Sequence, residues 1–137
     1  MSLDLIIIVP ARGGSKRLPG KNLMRLGGQS LLARVEASVR DSALDAEIFL
    51  TTDDSAIAAE GSRLGWSVPF MRPDELATDE ASTNSAILHL LDWRKESGKA
   101  DPEHIMVLQP TSPFRSGASL ARAMTLIKER DDIDSVV

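Results

Sequence analysis

Three short aliphatic runs constrain this chain most: LIIIV at residues 5–9, EIFLT at 47–51 and HIMVL at 104–108. Each is too short for a helix, rich in β-branched or large apolar residues, and bounded by turn-forming or polar residues. Each therefore reads as a buried strand. Between and after them lie segments whose apolar residues recur every three to four positions. Ser30 is placed to cap a helix reaching about Asp41, with Leu31, Val35 and Val39 on one face. Asp53 or Asp54 can cap a second that stops near Gly65, and Ser82 or Thr83 can open a third, with Ile87, Leu88 and Leu91 inward, ending near Gly98. Ser116 can cap a fourth, with Leu120, Met124 and Ile127 inward. Residues 67–70 read as a weak, short strand and residues 135–137 as the start of a last one. Strands alternating with amphipathic helices predict an α/β domain: a mostly parallel sheet covered on both faces.

The chain has 137 residues, enough for a single domain spanning 1–137. With 42% hydrophobic but only 4% aromatic residues, its core must be mainly aliphatic. There is no cysteine, which excludes disulfides, thiolate catalysis and thiolate-bound zinc, and fits a cytoplasmic location. The N-terminus lacks the basic region of a signal peptide, and no stretch approaches the roughly 20 apolar residues of a membrane span. The sequence breaks off at DSVV, inside an expected strand, which suggests truncation at the C-terminus.

Net charge is −4, which argues against a nucleic-acid binder. The charge is unevenly spread. Between Asp4 and Glu36 there is no acidic residue, and that interval holds Arg12, Lys16, Arg17, Lys21, Arg25 and Arg34. Most of these cations sit in one loop, ARGGSKRLPGKN, which leaves the first strand. In open α/β sheets ligands bind at the carboxyl ends of the strands. Gly13 and Gly14 let backbone N–H groups turn toward a ligand without Cβ obstruction. Arg12, Lys16 and Lys21 can neutralise phosphate oxygens. The loop thus points to a triphosphate. It is not a Walker A loop, because Ser15 stands where the first glycine is required and Asn22 where Ser or Thr is required. The dinucleotide pattern G-x-G-x-x-G is also absent.

Two further loops leave strands on the same side. LQPTSPFR, residues 108–115, offers Gln109, Thr111 and Ser112 on a segment stiffened by two prolines. Gln109 carries both a donor and an acceptor, suited to a base edge. MRPDELATD, residues 71–79, offers Arg72.

Taken together, IIIVPARGGSKRLPGKNL, TTDDSAIAAEGSRLG, RPDELATDEAST, VLQPTSPFR and DSVV resemble, in family order, the cytidylyltransferases that activate nonulosonic acids: the N-acylneuraminate (CMP-sialic acid) synthetase family. The first and fourth pieces are specific. The resemblance implies a Rossmann-like, three-layer nucleotidyltransferase fold of the nucleotide-diphospho-sugar transferase type. It implies transfer of CMP from CTP to an acidic 2-keto sugar, with release of pyrophosphate and assistance from Mg²⁺. Carried over by position, Arg12, Gly13, Ser15, Lys16 and Lys21 would hold the triphosphate, with Arg12 and Lys21 as catalytic cations. Asn22 would orient the nucleotide, Arg72, Ser82 and Thr83 would border the cytidine pocket, and Gln109, Thr111 and Ser112 would meet the nucleotide or the acceptor sugar. The aspartates that bind Mg²⁺ and the element that makes such enzymes dimers are expected beyond residue 137. Asp53–Asp54 and Asp131–Asp132 read as a helix cap and a solvated helix end, and His89, His104, Trp66 and Trp93 as structural. Synthetases for 3-deoxy-manno-octulosonate share PAR and RLPGK but carry an acidic metal ligand where this chain has LQPTSP, which favours the sialic-type branch. Sialic, legionaminic and pseudaminic acid enzymes look alike over this stretch. Two other readings stand beside this one: a truncated, non-catalytic nucleotide-binding module, and a nucleotidyltransferase of the same fold using another nucleotide.

Overall fold

The structure, a computed structural model, describes residues 5–11, 25–26, 29–73, 75, 83–109 and 117–129. The four predicted helices and three of the five predicted strands form, in the expected order. Strand β1 is Leu5–Pro10; a minimal antiparallel pair follows, β2 Arg25–Leu26 and β3 Gln29–Ser30. Then come α1 Leu31–Ser42, β4 Glu47–Thr51, α2 Ser55–Arg63, α3 Thr83–Glu96, β5 His104–Val107 and α4 Gly117–Glu129. The strand expected at 135–137 lies outside the described residues.

Strands β4, β1 and β5 pair in that order, all parallel. The register sets Ile7 beside Ile48 and Met106, and Ile8 beside Phe49 and Val107. Because side chains alternate across a strand, β1 feeds two cores. Ile7 and Val9 join Ile48, Leu50, Ile57, Leu32, Val35, Val39 and Leu120, which brings α1, α2 and α4 onto one face. Ile6 and Ile8 join Phe49 and Leu90, which brings α3 onto the other. The central strand is buried along its whole length, as a strand covered on both faces must be. This is the three-layer α/β arrangement expected.

Local chemistry ends the helices where the sequence predicts. Asp54, rather than Asp53, caps α2: its Oδ1 accepts from the amides of Ala56 at 2.8 Å and Ile57 at 3.0 Å. Gly65 and Gly98 end α2 and α3 in the left-handed region, with φ of 86° and 87°. At each, paired bonds close the last turn: Trp66 N to Gly61 O and Gly65 N to Ser62 O, then Lys99 N to Arg94 O and Gly98 N to Lys95 O. Helix α4 lies so close to the end of α1 that a Cβ on Gly117 would overlap the backbone at Asp41 and Ser42.

Three expectations are corrected. Residues 67–70 do not form a strand; a single parallel bridge joins Ser67 to Phe49, because Pro69 cannot donate to a ladder. Leu88 is 61% exposed, and α3 buries Ala86 and Leu90 instead, with Ile87 and Leu91 at the margin. Strand β5 is only partly covered: Ile105, expected to be buried, is 41% exposed, because β5 is the edge of the described sheet. Both tryptophans pack. Trp66 is buried and donates its Nε1–H to Glu36 on α1, and Trp93 meets Phe49 and Phe70 edge-on. His89 turns its ring against Phe70, with centroids 4.6 Å apart.

Candidate active site at the carboxyl edge of the sheet

The carboxyl ends of β1, β4 and β5 gather several sequence-selected residues. At the end of β1, Ala11 is buried and its amide donates to the Thr51 carbonyl at 3.1 Å. Ala11 is the root of the cationic loop, so the loop leaves from a point fixed against β4. At the end of β4, Thr51 and Thr52 are fully buried. The Thr52 hydroxyl accepts the Asp54 amide at 3.1 Å, tying the cap of α2 to the same edge.

Arg72 reaches this edge by a definite route. Past α2 the chain runs alongside β4, with Leu50 N donating to Ser67 O at 2.9 Å and Ser67 N to Ile48 O at 2.8 Å. It then delivers Arg72, whose amide donates to Thr52 O at 2.7 Å. The side chain folds inward and is 5% exposed. Its Nε donates to Thr51 Oγ1 at 3.1 Å and its Nη2 to the Thr51 carbonyl at 2.7 Å. A buried guanidinium is costly unless its donors are met, and Thr51 meets two of them.

At the end of β5, Leu108 is buried and its amide donates to Ile8 O at 3.0 Å, which continues the strand's path beyond its last paired residue. Gln109 follows directly. Its Nε2 lies 3.5 Å from the Thr83 hydroxyl, at the first residue of α3. Two residues chosen separately from the sequence therefore meet. Of the other candidates, Arg12, Gly13, Ser15, Lys16, Lys21, Asn22, Ser82, Thr111 and Ser112 lie outside the described residues. Reasoning from the sequence missed Thr51 and Thr52. Their only signal is TTDD, where a strand ends at Thr51 and a helix cap follows at Asp53 or Asp54, and nothing in it announces contacts with residues 40 positions before or 21 after.

A buried arginine, a loop root and an amide side chain share one sheet edge, the place where open α/β sheets bind ligands. A family model described as cytidylyltransferase matches residues 6–137. The chain belongs to the cytidylyltransferase family.

Relatives agree with that assignment, and a solved structure shares the fold. The chain is 36% identical over 126 residues to a CMP-N,N'-diacetyllegionaminic acid synthase of Legionella pneumophila, covering 92% of this chain and 54% of the relative. It is 36% identical over 137 residues to an N-acylneuraminate cytidylyltransferase of Escherichia coli, covering 100% of this chain and 31% of the relative. In fold it is similar to a CMP:2-keto-3-deoxy-manno-octonic acid synthetase complexed with CTP, with a TM-score of 0.75 at 21% identity, over 94% of this chain and 49% of that one. The chain thus spans about half the length of these proteins, or less. No helix among the described residues is long and apolar enough to cross a membrane.

Proposed function

We propose that this cytidylyltransferase-family chain carries the nucleotide-binding half of the reaction CTP plus a nonulosonic, sialic-type acid giving the CMP-sugar and pyrophosphate. One observation carries the reading: the root of the cationic loop and the buried guanidinium of Arg72 converge on the Thr51 carbonyl, at the carboxyl edge of the sheet. A nucleotide has two ends of different chemistry, and this edge offers a partner for each. The loop from Arg12 to Asn22 supplies cations and glycines for the triphosphate. Arg72 and the Thr83–Gln109 pair supply hydrogen-bonding groups for the base and the sugar acid.

In this reaction the anomeric oxygen of the sugar attacks the α-phosphorus in line. The new P–O bond forms as the bond to the bridging oxygen of pyrophosphate breaks, and the hydroxyl proton is lost to solvent. Negative charge accumulates on the phosphate oxygens and the leaving group. Arg12, Lys16 and Lys21 would offset that charge. The sialic-type acceptor is supported by the activities for which the two relatives are named and by LQPTSP in place of an acidic loop. Mg²⁺ enters the proposal only as a companion of the triphosphate. Among the described residues no three His, Asp or Glu side chains gather as a metal site, and none is assigned to it.

Mixing the protein with CTP, Mg²⁺ and N-acetylneuraminic or legionaminic acid tests the reading. The expected result is CTP binding by this chain and, where the sugar-acid half of the site is also present, pyrophosphate release that requires both CTP and the sugar acid. Release with GTP or UTP in preference to CTP would contradict it.

A further inference from the structure

Thr51 binds both halves of the candidate site together. It is the last residue of β4 and is fully buried. Its carbonyl accepts two donors, Ala11 N at 3.1 Å and Arg72 Nη2 at 2.7 Å, which uses both lone pairs. Its hydroxyl accepts a third, Arg72 Nε at 3.1 Å. The Arg72 amide is separately held by Thr52 O at 2.7 Å. Arginine has many rotamers but a planar head. Two contacts from that head to one residue fix the plane as well as the position.

We propose that Thr51 is a positioning residue that sets base selectivity, by locking the plane of Arg72 relative to the root of the triphosphate loop. The inference rests on the reading that Arg72 borders the cytidine pocket. A guanidinium only donates. Cytosine presents two adjacent acceptors, O2 and N3, whereas uracil presents O2 beside an N3–H donor. A guanidinium fixed in plane opposite that edge accepts cytosine and meets uracil donor to donor. A guanidinium free to tilt loses that distinction while keeping its charge.

Thr51→Val removes the hydroxyl acceptor but keeps the branched shape, the buried volume and the carbonyl. Calorimetric titrations with CTP, UTP and inorganic tripolyphosphate read the consequence. The ratio of CTP to UTP affinity should fall about tenfold, equivalent to about 1.4 kcal/mol, while tripolyphosphate affinity stays within about twofold. Thr51→Ser, which keeps the hydroxyl, should retain the parent ratio. A merely structural role for Thr51 would lower the melting temperature without moving the ratio. If circular dichroism shows Thr51→Val unfolded, Arg72→Lys carries the test, since it keeps the charge without the fork and should lose the same discrimination. A parent-like CTP-to-UTP ratio in the folded variant overturns the inference. A parent protein that binds tripolyphosphate but prefers no base overturns the cytidine reading beneath it, and this inference with it.

Discussion

Arg72→Ala should destabilise the protein by about 2–4 kcal/mol, read as a fall in melting temperature on the order of 10 °C. The substitution removes two hydrogen bonds from a charged donor to Thr51, and a bond of that kind is worth roughly 1.5–3 kcal/mol. It also leaves the Thr51 hydroxyl buried without that donor, and a space where the long side chain lay. One effect opposes these losses, because a buried charge was costly to desolvate and that cost disappears. The space and the stranded hydroxyl decide the sign. Arg72→Met, which fills the space without the charge, should therefore cost about half as much. Both variants should bind CTP poorly, because the role proposed for Arg72 needs its donors. A melting temperature unchanged in Arg72→Ala would mean that the contacts at Thr51 hold nothing in place.

Arg12→Ala should weaken CTP binding by about 1.5–3 kcal/mol, roughly 10- to 150-fold, with little change in the stability of the unliganded protein. Arg12 follows Ala11, which is pinned to Thr51, so its backbone starts from a fixed point at the sheet edge. It is the first of four cations in the loop, in a stretch of the chain without a carboxylate to neutralise them. Their mutual repulsion is relieved when an anion arrives, which is why the loss should appear in binding and not in folding. Inorganic tripolyphosphate should lose affinity about as much as CTP, since the contact is to phosphate. Arg12→Lys should recover part of the loss, because it restores charge but not paired donors. Full CTP affinity in Arg12→Ala would remove the loop from the phosphate site.

Much of this fold was legible because its signals are local. LIIIV, EIFLT and HIMVL each hold enough apolar residues to name a strand, and Asp54, Gly65 and Gly98 punctuate the helices by chemistry acting over one turn. Where several faces of a helix are apolar, periodicity cannot choose among them. Helix α3 carries Ala86, Ile87, Leu88, Leu90, Leu91 and Trp93; Leu90 packs against Ile6, Ile8 and Phe49, Ala86 is buried as well, and Leu88 is left outside. Strands β2 and β3 have two residues each, too few to show a period. The candidate site was legible in part as residue types in loops after strands, which singled out Arg72 and Gln109, while Thr83 came from the family resemblance. It was not legible as a set of contacts. That Arg72 turns inward onto Thr51, 21 positions earlier, depends on the path of residues 66–71 along β4. No local pattern records that path.

The carboxyl edge of this sheet, from Ala11 through Thr51 and Arg72 to Gln109, is the place proposed here to take CTP. Calorimetric titration of the protein with CTP, UTP, ATP and GTP tests it most directly, with circular dichroism on the same sample to establish that the chain is folded. Saturable binding of CTP is expected, at least about tenfold tighter than any of the other three, the margin that follows from one base-reading contact of about 1.4 kcal/mol. A folded protein that binds none of the four, or that binds a purine nucleotide more tightly than CTP, would contradict it.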